Sequence, residues 1–146
     1  MQISLSMARI TRSQVVVLVF TRGKKIFTEK RLLQQFSDRQ YLIPGGKVKK
    51  KELADIESAV KREAMEELGV KLIDFIPLTL NQNIYGIYGQ ILKPFIIKKW
   101  TGKLPKAILD KGNPTVWVDI DILRSCTFEP TRKVVEAFIK YLPSKK

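Results

Sequence analysis

The chain has 146 residues, 45% of them hydrophobic and 28% charged, the values of a globular domain with a real core rather than of a disordered segment. Its 27 Lys+Arg stand against 14 Asp+Glu, a formal net charge of +13, which suits attraction of polyanions such as nucleotides or RNA and equally a solubilising surface. The absence of histidine excludes a His general base, a Ser-His triad and a His-ligated metal, and a lone cysteine, Cys126, excludes an intrachain disulfide and a cysteine zinc cluster.

No apolar run approaches the ~20 residues of a membrane helix, and a single thiol fits a cytoplasmic setting. Residues 1–14 have weak periodicity and read as a frayed start. Gln14–Thr21, rich in β-branched residues, is a strand; Val15–Phe20 within it is too short for a signal-peptide core. A turn at Arg22–Lys25 leads into a second strand, Ile26–Arg31, to give a hairpin. Leu32–Arg39 is an irregular loop, and Tyr41–Ile43 is a short strand running into Pro44-Gly45-Gly46, where two glycines permit positive φ and close backbone approach to a ligand. The loop Lys47–Leu53 carries Lys49-Lys50-Lys51, a solvated charge run or a set of cations within reach of substrate phosphates.

Asp55 is placed to cap the helix that follows, in which Ile56, Val60, Ala64 and Leu68 form one apolar stripe and Gly69 is the stop. Beyond it, Lys71–Leu80 is a strand broken at Pro77. Asn81–Gln90 holds Tyr85-Gly86-Ile87-Tyr88-Gly89, either a hairpin turn or an aromatic platform for a base. Ile91–Trp100 is apolar enough for a central strand, although Pro94 argues for an edge or a bulge. Thr101–Pro114 is a loop, Thr115–Val118 a strand, and Asp119–Leu123 a helical turn. Thr131–Leu142 is an amphipathic helix with Val134, Val135, Phe138 and Leu142 toward the core. No internal repeat, second domain or linker is evident, so residues 1–146 read as one domain.

One stretch breaks the basic character of the chain. From Ala54 to Leu80 there are six acids (Asp55, Glu57, Glu63, Glu66, Glu67, Asp74) and three bases (Lys61, Arg62, Lys71). At about 100° per residue, Glu63, Glu66 and Glu67 share an arc of roughly 100° on one side of the helix. Like charges so placed repel unless a cation compensates them, and a hard divalent metal with oxygen ligands is the natural compensator; a solvated helix face is the alternative. Glu63 and Glu67 border the apolar stripe, which sets the acids at the margin of the core, where a cleft can open.

The run Gly46, Glu52, Arg62, Glu63, Ala64, Glu66, Glu67, Gly69, Val70 resembles the signature of the Nudix hydrolases: Gly, any five, Glu, any seven, Arg-Glu-apolar-any-Glu-Glu-any-Gly-apolar. It departs at one place. Nine residues separate Glu52 from Arg62 where the family has seven, so the loop is longer and Glu57 competes with Glu52 for the first acidic role. The strand ending near Trp117 and the acidic-apolar turn after it extend the resemblance.

The resemblance implies an α/β fold, an α/β/α sandwich with a mixed β-sheet flanked by helices. It implies Mg²⁺-dependent hydrolysis, with Mn²⁺ as a substitute, of the pyrophosphate link in a nucleoside diphosphate derivative, above all a nucleoside triphosphate or oxidised nucleotide. It places Glu63, Glu66, Glu67 and the Gly45 carbonyl as metal ligands. Glu63, Glu66 and Arg62 are the catalytic set, with Glu66 as ligand or base and Arg62 orienting an acid. Gly46, Glu52 and Gly69 are motif residues. In some relatives a base or further ligand comes from a Glu in the loop before the Trp strand; here that loop offers only Asp110. Two rivals stand beside this reading: RNA as the substrate, through removal of 5′ phosphates or a cap, and a non-catalytic nucleotide-binding module. Oligomeric state is open, a homodimer included.

Overall fold

The computed structural model describes residues 13–32, 39–109 and 111–142. The frayed start, most of the loop after the second strand, Asp110 and the terminal lysines lie outside the described residues.

Strand β1 (Gln14–Arg22) is the centre of the molecule. It runs parallel to β7 (Ile91–Thr101), from Gln14↔Ile91 to Phe20↔Ile97. On its other side it pairs antiparallel with β4 (Gly45–Lys47), and its last residues with β2 (Lys25–Leu32). β2 is flanked by β3 (Arg39–Leu42) and β8 (Thr115–Asp119), while β7 carries β5 (Lys71–Pro77) and the short β6 (Ile84–Tyr85). The path β3-β2-β1-β7-β5 is a mixed sheet, as expected, because one parallel pair sits among antiparallel ones.

The uninterrupted apolar run of β1 follows from burial on both faces. Side chains alternate along a strand. Val16, Leu18 and Phe20 therefore enter one cluster with Ala59 and Val60 of α1 (Ile56–Glu63), and Val17 and Val19 enter another with Val134, Val135 and Phe138 of α3 (Glu129–Tyr141). The short α2 (Ile120–Leu123) follows β8, with Asp119 Oδ1 accepting from the Asp121 amide at 2.9 Å as its cap. One helix on each side of the sheet gives the expected sandwich. Among the described residues no helix is long and apolar enough to cross a membrane.

Three sequence expectations need correction. Pro94 lies inside a central strand, not at an edge. It falls where the neighbour of β7 changes from β6, opposite Leu92, to β5, opposite Phe95, so the ladder is already interrupted there; its carbonyl accepts from the Leu78 amide at 2.9 Å. The last helix begins at Glu129, and Leu142 is an exposed cap rather than a core residue. Asp55 stands at the N-cap of α1 without a side-chain cap bond; its carbonyl takes the Ser58 hydroxyl instead, at 2.7 Å.

Candidate active site

Gly45 and Gly46 are glycines for a reason other than turn geometry. Neither has a positive φ; both lie in β4, paired with Val17 and Val16 of β1. A Cβ on Gly45 would collide with the Val16 carbonyl, and one on Gly46 would collide with the Glu63 carboxylate. Close approach, not conformational freedom, dictates both.

The sheet thus brings β4 against the C-terminal end of α1, and Arg62 joins the two. Its guanidinium forks onto Glu52, Nε to Oε2 at 2.7 Å and a terminal nitrogen to Oε1 at 2.9 Å. It also donates to Glu63 Oε2 at 2.8 Å, Glu66 Oε1 at 3.0 Å and the Lys47 carbonyl at 2.9 Å. The longer loop is compact: Lys50–Glu52 form a 3₁₀ turn, the Asp55 amide bonds the Glu52 carbonyl, and the Lys49 amide bonds Glu52 Oε1 at 2.8 Å. The two extra residues are absorbed in that turn, so Glu52 meets Arg62 despite its shifted register, while Glu57 is exposed. The fork from Arg62 is the main reason that the Glu52 carboxyl is held down to about 2, against the cost of burial. The same pairing, with Glu63 adding to it, raises the Arg62 guanidinium further above its ordinary value.

The last turn of this helix is not α-helical. Ala64–Leu68 is a π turn, closed by Gly69 at φ +70° with its amide directed to the Ala64 and Met65 carbonyls. Glu63 and Glu67 are buried at its two ends, whereas Glu66 is exposed. Among the described residues no group of three or more acidic, His or Cys side chains converges in the geometry of a metal centre. The donor chemistry nevertheless fits a hard divalent ion that takes one or two carboxylates and keeps waters. Glu63 and Glu67 are buried oxygen donors at one end of the helix, and Arg62 engages a single oxygen each of Glu63 and Glu66.

Gly45 also lines a cavity of about 360 Å³. Val15, Val17, Leu42, Leu92, Phe128 and Val134 give it apolar walls, and the exposed Tyr88 of the β6–β7 hairpin stands at its margin. Sequence reasoning missed one feature of this cavity. Glu29 of β2, 2% exposed, is among its lining residues, and its Oε2 accepts from Asn113 Nδ2 at 2.7 Å. Arg31 Nε lies 3.6 Å from the same oxygen, beyond a hydrogen bond, and is a buried donor without an acceptor. In sequence Glu29 resembles an ordinary strand carboxylate; only the flanking β3 and β8 bury it.

Comparison with known proteins agrees with this fold. An 8-oxo-dGTP diphosphatase of Buchnera aphidicola subsp. Schizaphis graminum is 27% identical over 117 residues, 80% of this chain and 84% of the relative. The ORF135 protein of E. coli superposes with a TM-score of 0.73 at 22% identity, over 94% of this chain and 98% of its own. The MutT NUDIX hydrolase of Burkholderia pseudomallei gives 0.68 at 23% identity, over 88% and 98%. These two share the fold. The model of the NUDIX domain matches residues 10–138, and the chain accordingly belongs to the NUDIX family, as a Nudix hydrolase.

Proposed function

We propose that this Nudix hydrolase cleaves the pyrophosphate link of a nucleoside triphosphate, oxidised nucleotides included, with Mg²⁺ or Mn²⁺, as one domain in a cytoplasmic setting. The observation that carries the reading is the adjacency of Gly45 and Gly46. One glycine lines an apolar cavity of a size for a base, and the next packs on the Glu63 carboxylate. A nucleotide seated in the cavity has its phosphates leading toward the acidic helix. The name of the Buchnera relative supports the same substrate class.

Glu63 and Glu67, with the Gly45 carbonyl, are the residues we assign to hold the divalent ion, and Glu66 completes the set or serves as base. When bound, the ion neutralises the polyphosphate and favours ionisation of the attacking water. Arg62 keeps Glu63 and Glu66 in place and is anchored by Glu52, so both are positioning residues. Glu66 has its exposed carboxylate toward solvent, where a water can be oriented and its proton accepted.

The test is a panel of nucleoside triphosphates, ADP-ribose, dinucleoside polyphosphates and 5′-triphosphorylated RNA with Mg²⁺ or Mn²⁺, phosphate and pyrophosphate being measured separately. Release of pyrophosphate from free nucleotides, reduced at least about a hundredfold in Glu67→Gln and Glu63→Gln, is the expected result. The net charge of +13 supports RNA as the second reading. Preference for the RNA, with steep inhibition by salt, would replace the free-nucleotide assignment. No hydrolysis of any compound, with nucleotide binding intact, would leave a binding module.

A further inference from the structure

We infer that the loop between β7 and β8 positions Glu67 through one main-chain hydrogen bond, from the Leu109 amide to the Glu67 carbonyl at 3.2 Å. Glu67 as a metal ligand, assigned above, is the basis of this inference; what is new is the device that holds the ligand. Leu109 is a positioning residue, acting through its backbone.

The helix does not fix Glu67 unaided. The last carbonyls of a helix have no amide partner within it. In the π turn the Gly69 amide is directed to the Ala64 and Met65 carbonyls and the Val70 amide to Ala64, so the closing bonds pass Glu67 by. The Glu67 carbonyl is met from outside the helix, by Leu109. Holding a carbonyl holds the rigid peptide plane that leaves its Cα. Glu67 is itself buried, so its carboxylate follows its backbone rather than swinging in water.

The loop has the stiffness for this task. At its root the Thr115 amide bonds the Lys106 carbonyl at 3.0 Å, Ala107 bridges Pro114, and the Lys30 amide of β2 bonds the Pro114 carbonyl at 2.9 Å. Above the root it closes on itself. The Ile108 amide bonds the Asn113 carbonyl at 2.8 Å, and the Gly112 amide, at φ +71°, returns to the Ile108 carbonyl at 2.8 Å. Ile108 is fully buried in the cluster that holds Ala64, Leu68 and Val70, so loop and π turn share one core. On the other side, Asn113 Nδ2 braces the loop against the buried Glu29 of β2 at 2.7 Å. The loop is thus a strut from β2 to the acidic turn. Leu109 has an exposed side chain and meets the helix with its amide.

The experiment titrates Mn²⁺ into the nucleotide-free chain, followed by electron paramagnetic resonance. Two variants remove the donor: Leu109→Pro, and an ester in place of the Ile108–Leu109 amide, introduced as the α-hydroxy analogue of leucine. Proline keeps the Ile108 carbonyl a full acceptor and the ester keeps the backbone free, so a loss common to both belongs to the missing N–H. Each is expected to weaken Mn²⁺ binding about tenfold, the low end for loss of a group that orients a metal ligand. Leu109→Ala keeps the amide and stays within about twofold. Asn113→Ala costs about threefold, because the Lys30–Pro114 bond still holds the root. In a chain that carries the ester it adds nothing, since both changes open the same strut. Circular dichroism and the melting temperature establish that each chain is folded during titration; if Leu109→Pro is not, the ester, which alters no side chain, carries the test. Wild-type Mn²⁺ affinity in the folded ester chain overturns the proposal, as do additive losses in the double variant or an equal loss in Leu109→Ala. Glu67→Gln separates the strut from the assignment beneath it. Unchanged Mn²⁺ binding there sinks the ligand role and the strut with it, whereas a loss there beside an unaffected ester chain sinks the strut alone.

Discussion

Arg62 makes five hydrogen bonds, to three carboxylates and one carbonyl, so its removal acts at several places at once. Arg62→Ala strands Glu52 and Glu63 as buried carboxylates without their cation. We expect a loss of about 3 kcal/mol in urea unfolding, at the low end for a broken buried pair because Arg62 is partly solvated. Arg62→Lys recovers only part of it, since an ammonium cannot fork onto Glu52. The acid limb of stability tests the same pair. The Glu52 pKa is lowered from 4.5 to about 2 in the folded chain, first through the Arg62 hydrogen bond. Its contribution is therefore complete above about pH 4.5 and is lost as the pH falls toward 2. Glu52→Gln should be less stable at pH 7 and show a shallower decline across that window, measured as unfolding midpoint against pH. Arg62 and the acids around it were legible in the sequence as a spacing of types. The partner of the guanidinium was not, because the extra loop residues removed Glu52 from its register and only the folded turn returns it.

At the scale of elements, the two glycines of β4 should respond differently to one added methyl. In Gly46→Ala the methyl meets the Glu63 side chain, which can rotate away. Stability is expected to fall little while activity falls at least about tenfold, because the carboxylate is moved from its place. In Gly45→Ala the methyl meets the Val16 backbone, which cannot move without breaking the β1–β4 ladder, so thermal stability falls in step with activity. Gly69→Ala places a Cβ in the left-handed region and should cost about 1 kcal/mol, read as a lower melting temperature. The helix itself was legible from its apolar stripe at four-residue spacing and its terminal glycine. Its π turn was not, since α and π turns draw on the same residues and differ only in hydrogen-bond register. Pro94 shows the converse. A rule about proline in strands is a rule about missing donors, and it lapses where the neighbouring strand has a gap.

For the molecule as a whole, the mixed sheet and the two flanking helices follow from a few strong signals: a strand apolar on both faces and two amphipathic helices. What the sequence could not show is which polar residues the layers would enclose. Glu29 sits in a strand of mixed polarity and Asn113 in an irregular loop, yet tertiary pairing brings them together across 84 positions of chain. If a divalent ion bridges the acidic edge, chelation by EDTA should abolish hydrolysis and restored Mg²⁺ should recover it, without change in the circular dichroism spectrum. That outcome separates a metal required for chemistry from one required for folding.

The pairing of Val17 with Gly45 and of Val16 with Gly46 has a further consequence. Consecutive positions of a strand face opposite sides, so cavity and carboxylates are out of phase by a single residue on the same short ribbon. Insertion or deletion of one residue between Pro44 and Lys47 would exchange the two faces and set each glycine against the other's neighbour. The separation between the place where a base is gripped and the place where a phosphate bond is cut is thus a property of strand register. It is indexed by the β1–β4 ladder as rungs index a ruler, and it can change only in whole steps.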